Sequence, residues 1–324
     1  MFPLNYVPVK PFPDYKWRWA SLQCTERLND PVILLGVLFR MRKLELLNPN
    51  LKYSSPEFAQ EMLELSNDVS DSIKVNLGGR VGERNIIRNS SQYWRAVGLI
   101  PNDRSGRIQL TEFGKKVADR DISQTEFAAI TIQTFRLPNP QIQSEEECNR
   151  WYAAGILLHP LKLILQILCE LTKLDQTQGY ITPEELVRIV IPLSGVKAEI
   201  ADYVGFILRY RAGEITLIGW PNCIEGANDF RIAREYLLFL NNYGYLDKTK
   251  ARRREEEVYH INVNIFAEIE EIIRAQPKDE SLLKALDQIR ASEVASEVER
   301  KRIQTRVARP NQAAFRKNVL KACE

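Results

Sequence analysis

Residues 97–100 read Val97-Gly98-Leu99-Ile100, and a similar stretch, Tyr243-Gly244-Tyr245-Leu246, occurs much later in the chain. In both places a helical pattern stops at a glycine, and an apolar pair then begins a short extended segment. A polar turn and a second apolar segment follow, at 108–110 in the first case and at 258–263 in the second. This repeated order predicts two winged-helix-like units in a protein that is mainly α-helical with short β-hairpins (α+β).

Apolar residues recur at helical spacing on either side of these two stretches. Before the first stretch, helices are predicted over residues 31–47, which begin with Pro31, from 54 to about 74, and from 83 to 97. After this stretch and its hairpin, another helix is predicted to begin near Thr111. Before the second stretch, helices are predicted over 160–173, 182–191, 197–211 and 229–242. The helix at 182 opens with the capping box Thr182-Pro183-Glu184-Glu185.

The chain is divided by these patterns into four parts. Residues 1–30 are rich in proline and aromatic residues and are expected to form an extended arm. Residues 31–150 and 151–264 hold the two winged-helix-like units, in keeping with about two domains for 324 residues. Residues 265–324 are expected to form a helical connector, whose Glu-rich faces are solvated to about residue 302, followed by a basic segment.

Composition excludes several classes of protein. With 44% hydrophobic and 27% charged residues, the chain is of the soluble globular type. Its longest apolar runs, 32–39 and 156–161, are too short to cross a bilayer, and residues 1–13 lack a secretory signal. We therefore expect a cytoplasmic protein without membrane contact. The five cysteines are scattered without a C-x-x-C pair, which predicts reduced thiols rather than disulfides or a zinc site.

Catalytic patterns are few. His159 and His260 have no neighbouring metal-ligand pattern. Pro13-Asp14-Tyr15-Lys16 superficially resembles part of a nuclease site, but no strand is predicted around it. Gly78-Gly79-Arg80-Val81-Gly82 lacks the preceding strand and the following Lys-Ser/Thr of a phosphate-binding loop. The sequence therefore predicts no catalytic residue and no metal ligand.

Basic and amide side chains are concentrated on the helix before the first hairpin. They recur at spacings of three and four and form a stripe with almost no acidic residue. Arginine recognises guanine, and asparagine and glutamine recognise adenine, when a helix enters the major groove. Although a charged stripe is commonly only a solvated helix face, the scarcity of carboxylates here favours DNA. The residues predicted to contact bases are Arg84, Asn85, Arg88, Asn89, Gln92 and Arg95.

Contacts to DNA phosphates are predicted for the basic residues around both hairpins. Near the first hairpin these are Arg104, Arg107, Lys115 and Lys116; at the tip of the second they are Lys248, Lys250, Arg252, Arg253 and Arg254. Three glutamates, 255–257, follow the second block and are able to pair with its arginines. A third basic block, 301–321, contains no acidic residue and is expected to lie along DNA as a linker.

Two segments carry a resemblance to a known family. Tyr93-Trp94-Arg95-Ala96-Val97-Gly98-Leu99-Ile100, with Leu110-Thr111-Glu112-Phe113-Gly114-Lys115-Lys116-Val117-Ala118, resembles the N-terminal recognition domain of AlwI-type restriction endonucleases. Residues 181–211 are similar to the second module of these enzymes, and the resemblance covers most of 15–265. It implies recognition of double-stranded DNA through winged-helix subdomains.

The segment Arg309-Pro310-Asn311-Gln312-Ala313-Ala314-Phe315-Arg316-Lys317 and the residues after it resemble the lead-in to an HNH nuclease domain. In that family the metal-binding residues come after this lead-in, and no position here matches one. The resemblance therefore implies the recognition part of a type II restriction endonuclease. A nuclease domain or subunit absent from this chain would cleave DNA with Mg²⁺ or another divalent ion.

Three alternatives remain open. The first is a transcriptional regulator with tandem winged helices that dimerises through 265–302. The second is an enzyme with a cryptic carboxylate site around Asp14, Glu26 or Asp30. The third is a protein-interaction scaffold without affinity for nucleic acid.

Overall fold

A computed structural model describes residues 2–19, 30–70, 87–103, 105–221, 227–249, 251–275 and 282–291. The chain forms two compact units, each built from two separate segments. We name each unit after the glycine that ends its central helix. The Gly98 unit comprises Leu22–Thr131 and Pro277–Glu324, and the Gly244 unit comprises Met1–Ser21 and Ile132–Gln276.

The described residues are mainly helical. The helices are α1 (Pro31–Leu47), α2 (Pro56–Ser70), α3 (Ile87–Ala96), α4 (Glu112–Ala118), α5 (Gln124–Thr134), α6 (Glu145–Ala153), α7 (Pro160–Leu174), α8 (Pro183–Glu185), α9 (Ile191–Ser194), α10 (Ile200–Arg211), α11 (Ala227–Asn242), α12 (Phe266–Arg274) and α13 (Leu282–Ala291). The strands are β1 (Tyr180–Ile181), β2 (Leu246–Lys248) and β3 (Tyr259–Ile261). They form a three-stranded antiparallel sheet in the order β1-β3-β2.

Helix α1 of the Gly98 unit begins and ends where the sequence predicted. The Asp30 side chain accepts a hydrogen bond of 3.0 Å from the backbone N–H of Val32, and Pro31 occupies the first turn. Inside the unit, the buried Arg40 guanidinium joins α1 to α2 through ion pairs with Glu61 and Asp68. Asp30, one of the three carboxylates considered for a cryptic catalytic site, is therefore a helix cap.

The hairpin of the Gly98 unit differs from the prediction of a strand at 108–110. The only pairing described there is an isolated antiparallel bridge between Lys52 and Arg107. The backbone N–H of Tyr53 donates to the Gly106 carbonyl at 3.0 Å. At the tip, the Ser105 N–H donates to the Asp103 side chain at 2.8 Å, so a local turn takes up backbone groups that a strand ladder would need.

The Gly244 unit places β1 and β2 on either side of β3. Tyr180 pairs with His260, and Leu246 pairs with Ile261. Helix α7 packs against both β1 and β3. The arm predicted at the N-terminus also packs here: Trp19 is buried, and its indole N–H donates to the Ser194 hydroxyl at 3.0 Å. Strand β1 was not predicted from the sequence.

Residues 132–150, which the sequence grouped with the first winged-helix-like unit, lie in the Gly244 unit. Leu137 and Leu158 form an antiparallel bridge with reciprocal N–H to carbonyl hydrogen bonds of 2.7 and 2.8 Å. The ring of Phe135 packs against that of Tyr236. This long-range pairing joins the segment to α7 and α11 rather than to the helices that precede it along the chain.

Two predicted helices are interrupted. The capping box of Thr182 and Glu185 is confirmed, but the helix continues through a π-helical segment, Leu186–Val190, before α9. The stretch predicted as a helical connector, 265–302, is divided in the structure. Helix α12 ends at Arg274 and packs on α7 with Glu268, Ile269 and Ile272 buried, and α13 belongs to the other unit. Residues 292–302 lie outside the described part of the chain.

Candidate nucleic-acid interface

Helix α3 presents a narrow polar face because most of its described side chains are buried. Tyr93 and Trp94 are fully buried, and Ser90 and Ser91 are buried beside them. Gln92 is exposed. Within 90–96 the buried side therefore includes two serines as well as the aromatic residues, and one amide side chain is directed to solvent.

Arg95 is half-buried and held in a fixed position on the same helix. Its Nε donates to the Ser91 carbonyl at 3.1 Å, and a second guanidinium nitrogen donates to the Ser91 hydroxyl at 3.1 Å. The remaining nitrogen lies 3.4 Å from the Asn102 side-chain oxygen, in the hairpin. These contacts hold the cation at the junction of helix and hairpin, next to the exposed Gln92.

The bridge between Lys52 and Arg107 brings two exposed cations together on the hairpin of the Gly98 unit. Arg107 was predicted to contact phosphates, and its Nε donates only to the Ser105 hydroxyl, at 3.3 Å. Lys52 was missed. The signal for it is its place between two inward-facing residues, Leu51 and Tyr53, because alternation in an extended segment directs the middle residue outward.

Two other predicted phosphate contacts lie on α4. Lys115 forms an ion pair of 2.7 Å with Glu112, and Lys116 is half-buried. Both residues belong to the Gly98 unit, but α4 follows the hairpin and is not part of it. The ion pair of Lys115 and the partial burial of Lys116 make them weaker candidates for DNA binding than the exposed Lys52 and Arg107.

Several predicted site residues cannot be placed. Outside the described residues lie Arg84, Asn85, Arg104, Lys250 and the basic block 301–321, and within α3 the side chains of Arg88 and Asn89 are not described. The base contacts predicted for this stripe are therefore represented in the structure by Gln92 and Arg95.

In the Gly244 unit, the hairpin is fastened to α11 by Glu257. The Arg234 guanidinium forms two hydrogen bonds with this carboxylate, at 2.5 and 2.7 Å, and both side chains are largely buried. Tyr259 donates its hydroxyl at 2.7 Å, and the Lys248 ammonium lies 3.3 Å away. Burial alone would raise the pKa of Glu257, but the hydrogen bonds from Arg234 and Tyr259 outweigh it and lower the pKa to about 2.

This arrangement leaves the arginines at the hairpin tip free of Glu257. Arg252, Arg253 and Arg254 are all exposed, and none forms an ion pair with an acidic side chain that the structure describes. Of the glutamates expected to pair with them, Glu257 binds Arg234 and Lys248 instead. The tip therefore carries three adjacent cations, whereas Lys248, predicted as a fourth, contacts the Glu257 carboxylate.

Other residues considered for catalysis have structural contacts. Asp14 forms an ion pair of 2.9 Å with Arg150 on the surface. Burial and nearby cations lower the pKa of His159, and His260 lies on β3 beside the ring of Tyr180. Cys148 and Cys169 are buried free thiols, and burial raises the pKa of Cys169 to about 12.

No cluster of three or more His, Cys, Asp or Glu side chains in the described part of the chain is arranged to hold a metal ion. Among the helices of the same residues, none combines the length and the apolar character needed to span a membrane.

Comparison with known proteins found no matching family model, no similar curated protein and no similar solved structure.

Proposed function

We propose that this chain binds double-stranded DNA in a sequence-specific manner through two winged-helix-like units. The observation that carries the proposal is the same construction in both units: a helix ends at a glycine with positive φ, and a hairpin with exposed cations follows. Gly98 has φ of 76° and Gly244 has φ of 78°. The hairpins close by equivalent backbone bonds, from Thr111 N–H to the Leu99 carbonyl and from Asn262 N–H to the Tyr245 carbonyl.

The sheet topology of the Gly244 unit supports the winged-helix part of the proposal. A winged helix places its first strand between its first two helices and pairs that strand with the last strand of the hairpin. Here β1 follows α7, and it pairs with β3 in the order β1-β3-β2. In the Gly98 unit, Lys52 follows α1 and pairs with Arg107 at the returning side of the hairpin, which is the same relation in shortened form.

In this proposal α3 enters the major groove. The exposed Gln92 amide matches adenine, and Arg95, which is bonded to Ser91 and Asn102, holds the helix end beside the hairpin and can read guanine only by exchanging those contacts. Lys52 and Arg107 then contact phosphates beside the groove, and the tip arginines of the Gly244 unit contact the DNA backbone as well. In the described part of the chain these cations form no ion pair with a carboxylate, and each uncompensated cation adds to affinity by releasing counterions from DNA.

The enzyme to which this binding would belong is a restriction endonuclease, as the resemblance to AlwI-type enzymes implies. Cleavage of the phosphodiester bond would then be carried out by an HNH domain or subunit that uses Mg²⁺ or another divalent ion. The residues of this chain would select the DNA site and hold it, without taking part in bond cleavage.

The test is selection of bound duplexes from a random library with the purified chain, at low and moderate salt, with Mg²⁺ present. We expect enrichment of one asymmetric motif, loss of binding as salt rises, and DNA that stays intact. A palindromic motif bound by a dimer would favour the transcriptional regulator. Absence of binding at low salt would contradict DNA binding altogether and favour the interaction scaffold.

A second arm tests the nuclease assignment. Cleavage by the purified chain that persists through repurification and is lost in Asp14→Ala would contradict the proposal and favour the cryptic carboxylate site. The matched control is Arg150→Ala, which removes the ion-pair partner of Asp14 but leaves its carboxylate in place.

A further inference from the structure

The two units differ in what their central helices offer to a ligand. On α3 the Gln92 side chain is exposed, and Arg95 lies beside it with part of its surface accessible. On α11, by contrast, none of the side chains from 230 to 242 is exposed. A helix can recognise base edges only through side chains that extend beyond its own packing surface.

Two polar side chains of α11, Arg234 and Asn241, are in addition engaged in holding the hairpin. Arg234 is largely buried, and its guanidinium forms two hydrogen bonds with Glu257. Near the end of the helix, the Asn241 side-chain oxygen accepts a bond of 3.0 Å from the backbone N–H of Lys248, in β2. A DNA base that recruited either side chain would have to break a contact that positions the hairpin.

The hairpin tips differ in the opposite sense. The tip of the Gly244 unit carries Arg252, Arg253 and Arg254, three consecutive exposed cations. Arg253 has an extended backbone and Arg254 begins a short 3-10 helix, Arg254–Glu256, so the three residues do not follow one regular face that fits a groove. Long, mobile cations in this arrangement suit the phosphates of a backbone, which surround the groove on both sides.

From these differences we infer a division of labour that rests on the proposed function. The Gly98 unit determines the DNA sequence, with the exposed Gln92 as its specificity residue. The Gly244 unit supplies phosphate contacts through Arg252, Arg253 and Arg254 and is indifferent to sequence. Glu257 acts as a positioning residue, since it fixes the base of that hairpin on α11 without contacting DNA.

The experiment compares the whole chain with two variants, by library selection and by salt titration of binding to the enriched duplex. In the triple variant R252Q/R253Q/R254Q we expect the same enriched motif, affinity reduced about tenfold or more, and a slope of log K against log salt smaller by about 3. In Gln92→Ala we expect a changed preference at one or two positions with the slope unchanged.

The matched control for the triple variant is R150Q/K173Q/R274Q. It removes the same charge from exposed or half-exposed side chains of the same unit, each of which already has an internal acidic partner. We expect a much smaller change in slope for this control. Circular dichroism and urea unfolding of each variant establish that it is folded.

Two results would overturn the inference while DNA binding stands. One is a changed motif, or an unchanged affinity and slope, in the triple arginine variant. The other is an unchanged motif in Gln92→Ala. If the unaltered chain enriches no motif and does not bind at low salt, it is the proposed function that fails, and the division of labour fails with it.

Discussion

The Thr111 hydroxyl donates a hydrogen bond of 2.6 Å to the carbonyl oxygen of Gly98. The same hydroxyl oxygen accepts a bond of 2.9 Å from the Gly114 N–H, so Thr111 both closes the hairpin and caps α4. Asn262 holds a similar position in the other unit: its amide donates to the Gly244 carbonyl at 3.0 Å, and its oxygen accepts from the Asn264 N–H at 3.1 Å. There the side chain caps a short 3-10 helix, Val263–Ile265, which leads into α12. In each unit one polar side chain thus joins the end of a central helix to the segment after the hairpin.

Thr111→Val is expected to destabilise the protein by about 2 kcal/mol. It removes the N-cap of α4, which is worth about 1 kcal/mol, and leaves the Gly98 carbonyl without its side-chain donor. Urea unfolding measures the loss. The control is Thr111→Ser, which keeps the hydroxyl and should stay within about 0.5 kcal/mol of the unaltered protein. An equal loss in both variants would show that the methyl group, not the hydroxyl, is what matters.

Gly114→Ala is expected to destabilise more than Gly106→Ala, although Gly106 has the unusual backbone conformation. A Cβ on Gly114 would lie 2.1 Å from the Leu99 carbonyl oxygen, a backbone atom that accepts the hydrogen bond closing the hairpin. Relieving that collision costs about 2–3 kcal/mol. At Gly106, φ is 72° but no atom lies within 4 Å of the added Cβ, so we expect about 1 kcal/mol from backbone strain alone. A larger loss for Gly106→Ala by thermal or urea unfolding contradicts this ranking.

Glu257→Gln is expected to cost about 3 kcal/mol or more because it leaves the buried Arg234 guanidinium without a charged partner. The matched control, Glu270→Gln, breaks ion pairs with the more exposed Lys173 and Arg274 and should cost less than about 1 kcal/mol. A double-mutant cycle with Arg234→Gln isolates the pair. Coupling close to zero in that cycle would refute the role given to Glu257 as the fastening of the hairpin.

The unfolding free energy should also depend on the ionisation of Glu235. Burial raises the pKa of Glu235 to about 7, even though Arg234, Arg231 and Arg254 lower it. A folded-state pKa above the unfolded value means that the folded state binds the proton more tightly, so stability falls as pH rises from about 4.5 to 7. The effect amounts to roughly 3 kcal/mol.

Glu235→Gln checks this, since glutamine imitates the protonated acid. The variant should be close to the unaltered protein at pH 5 and more stable than it at pH 8.5 in urea unfolding. Glu257, with a pKa of about 2, loses its stabilising charge only as pH falls below about 4.5 and does not interfere at these two values. An equal difference between the proteins at both pH values would exclude a titrating Glu235.

Lys52→Gln combined with Arg107→Gln should reduce the slope of log K for DNA against log salt by about 2, because two phosphate contacts are lost. The matched control is Arg42→Gln with Lys43→Gln, which removes two cations of the same unit that already bind Glu45 and Glu61. Filter binding over a range of salt concentrations gives both slopes. Equal slopes for the two double variants would remove Lys52 and Arg107 from the interface.

The local structure around each hairpin could be predicted from the sequence because it depends on neighbouring residues. The end of α3 at Gly98, the Thr111 cap of α4 and the capping box of Thr182 and Glu185 are all made by hydrogen bonds between residues close along the chain. Pro31 and the apolar spacing after it define α1 in the same way. Periodicity, caps and glycine conformations are properties of a short segment, so a short segment suffices to reveal them.

The contacts between segments that are distant along the chain were decided only by the tertiary structure. Strand β1 has two residues and becomes a strand because β3 pairs with it. Lys52 acquires a place beside Arg107, and Glu257 becomes the partner of Arg234 rather than of the adjacent arginines, through packing between distant segments. Such pairing depends on which distant group meets each buried charge or open backbone edge, and the sequence around either residue does not contain that information.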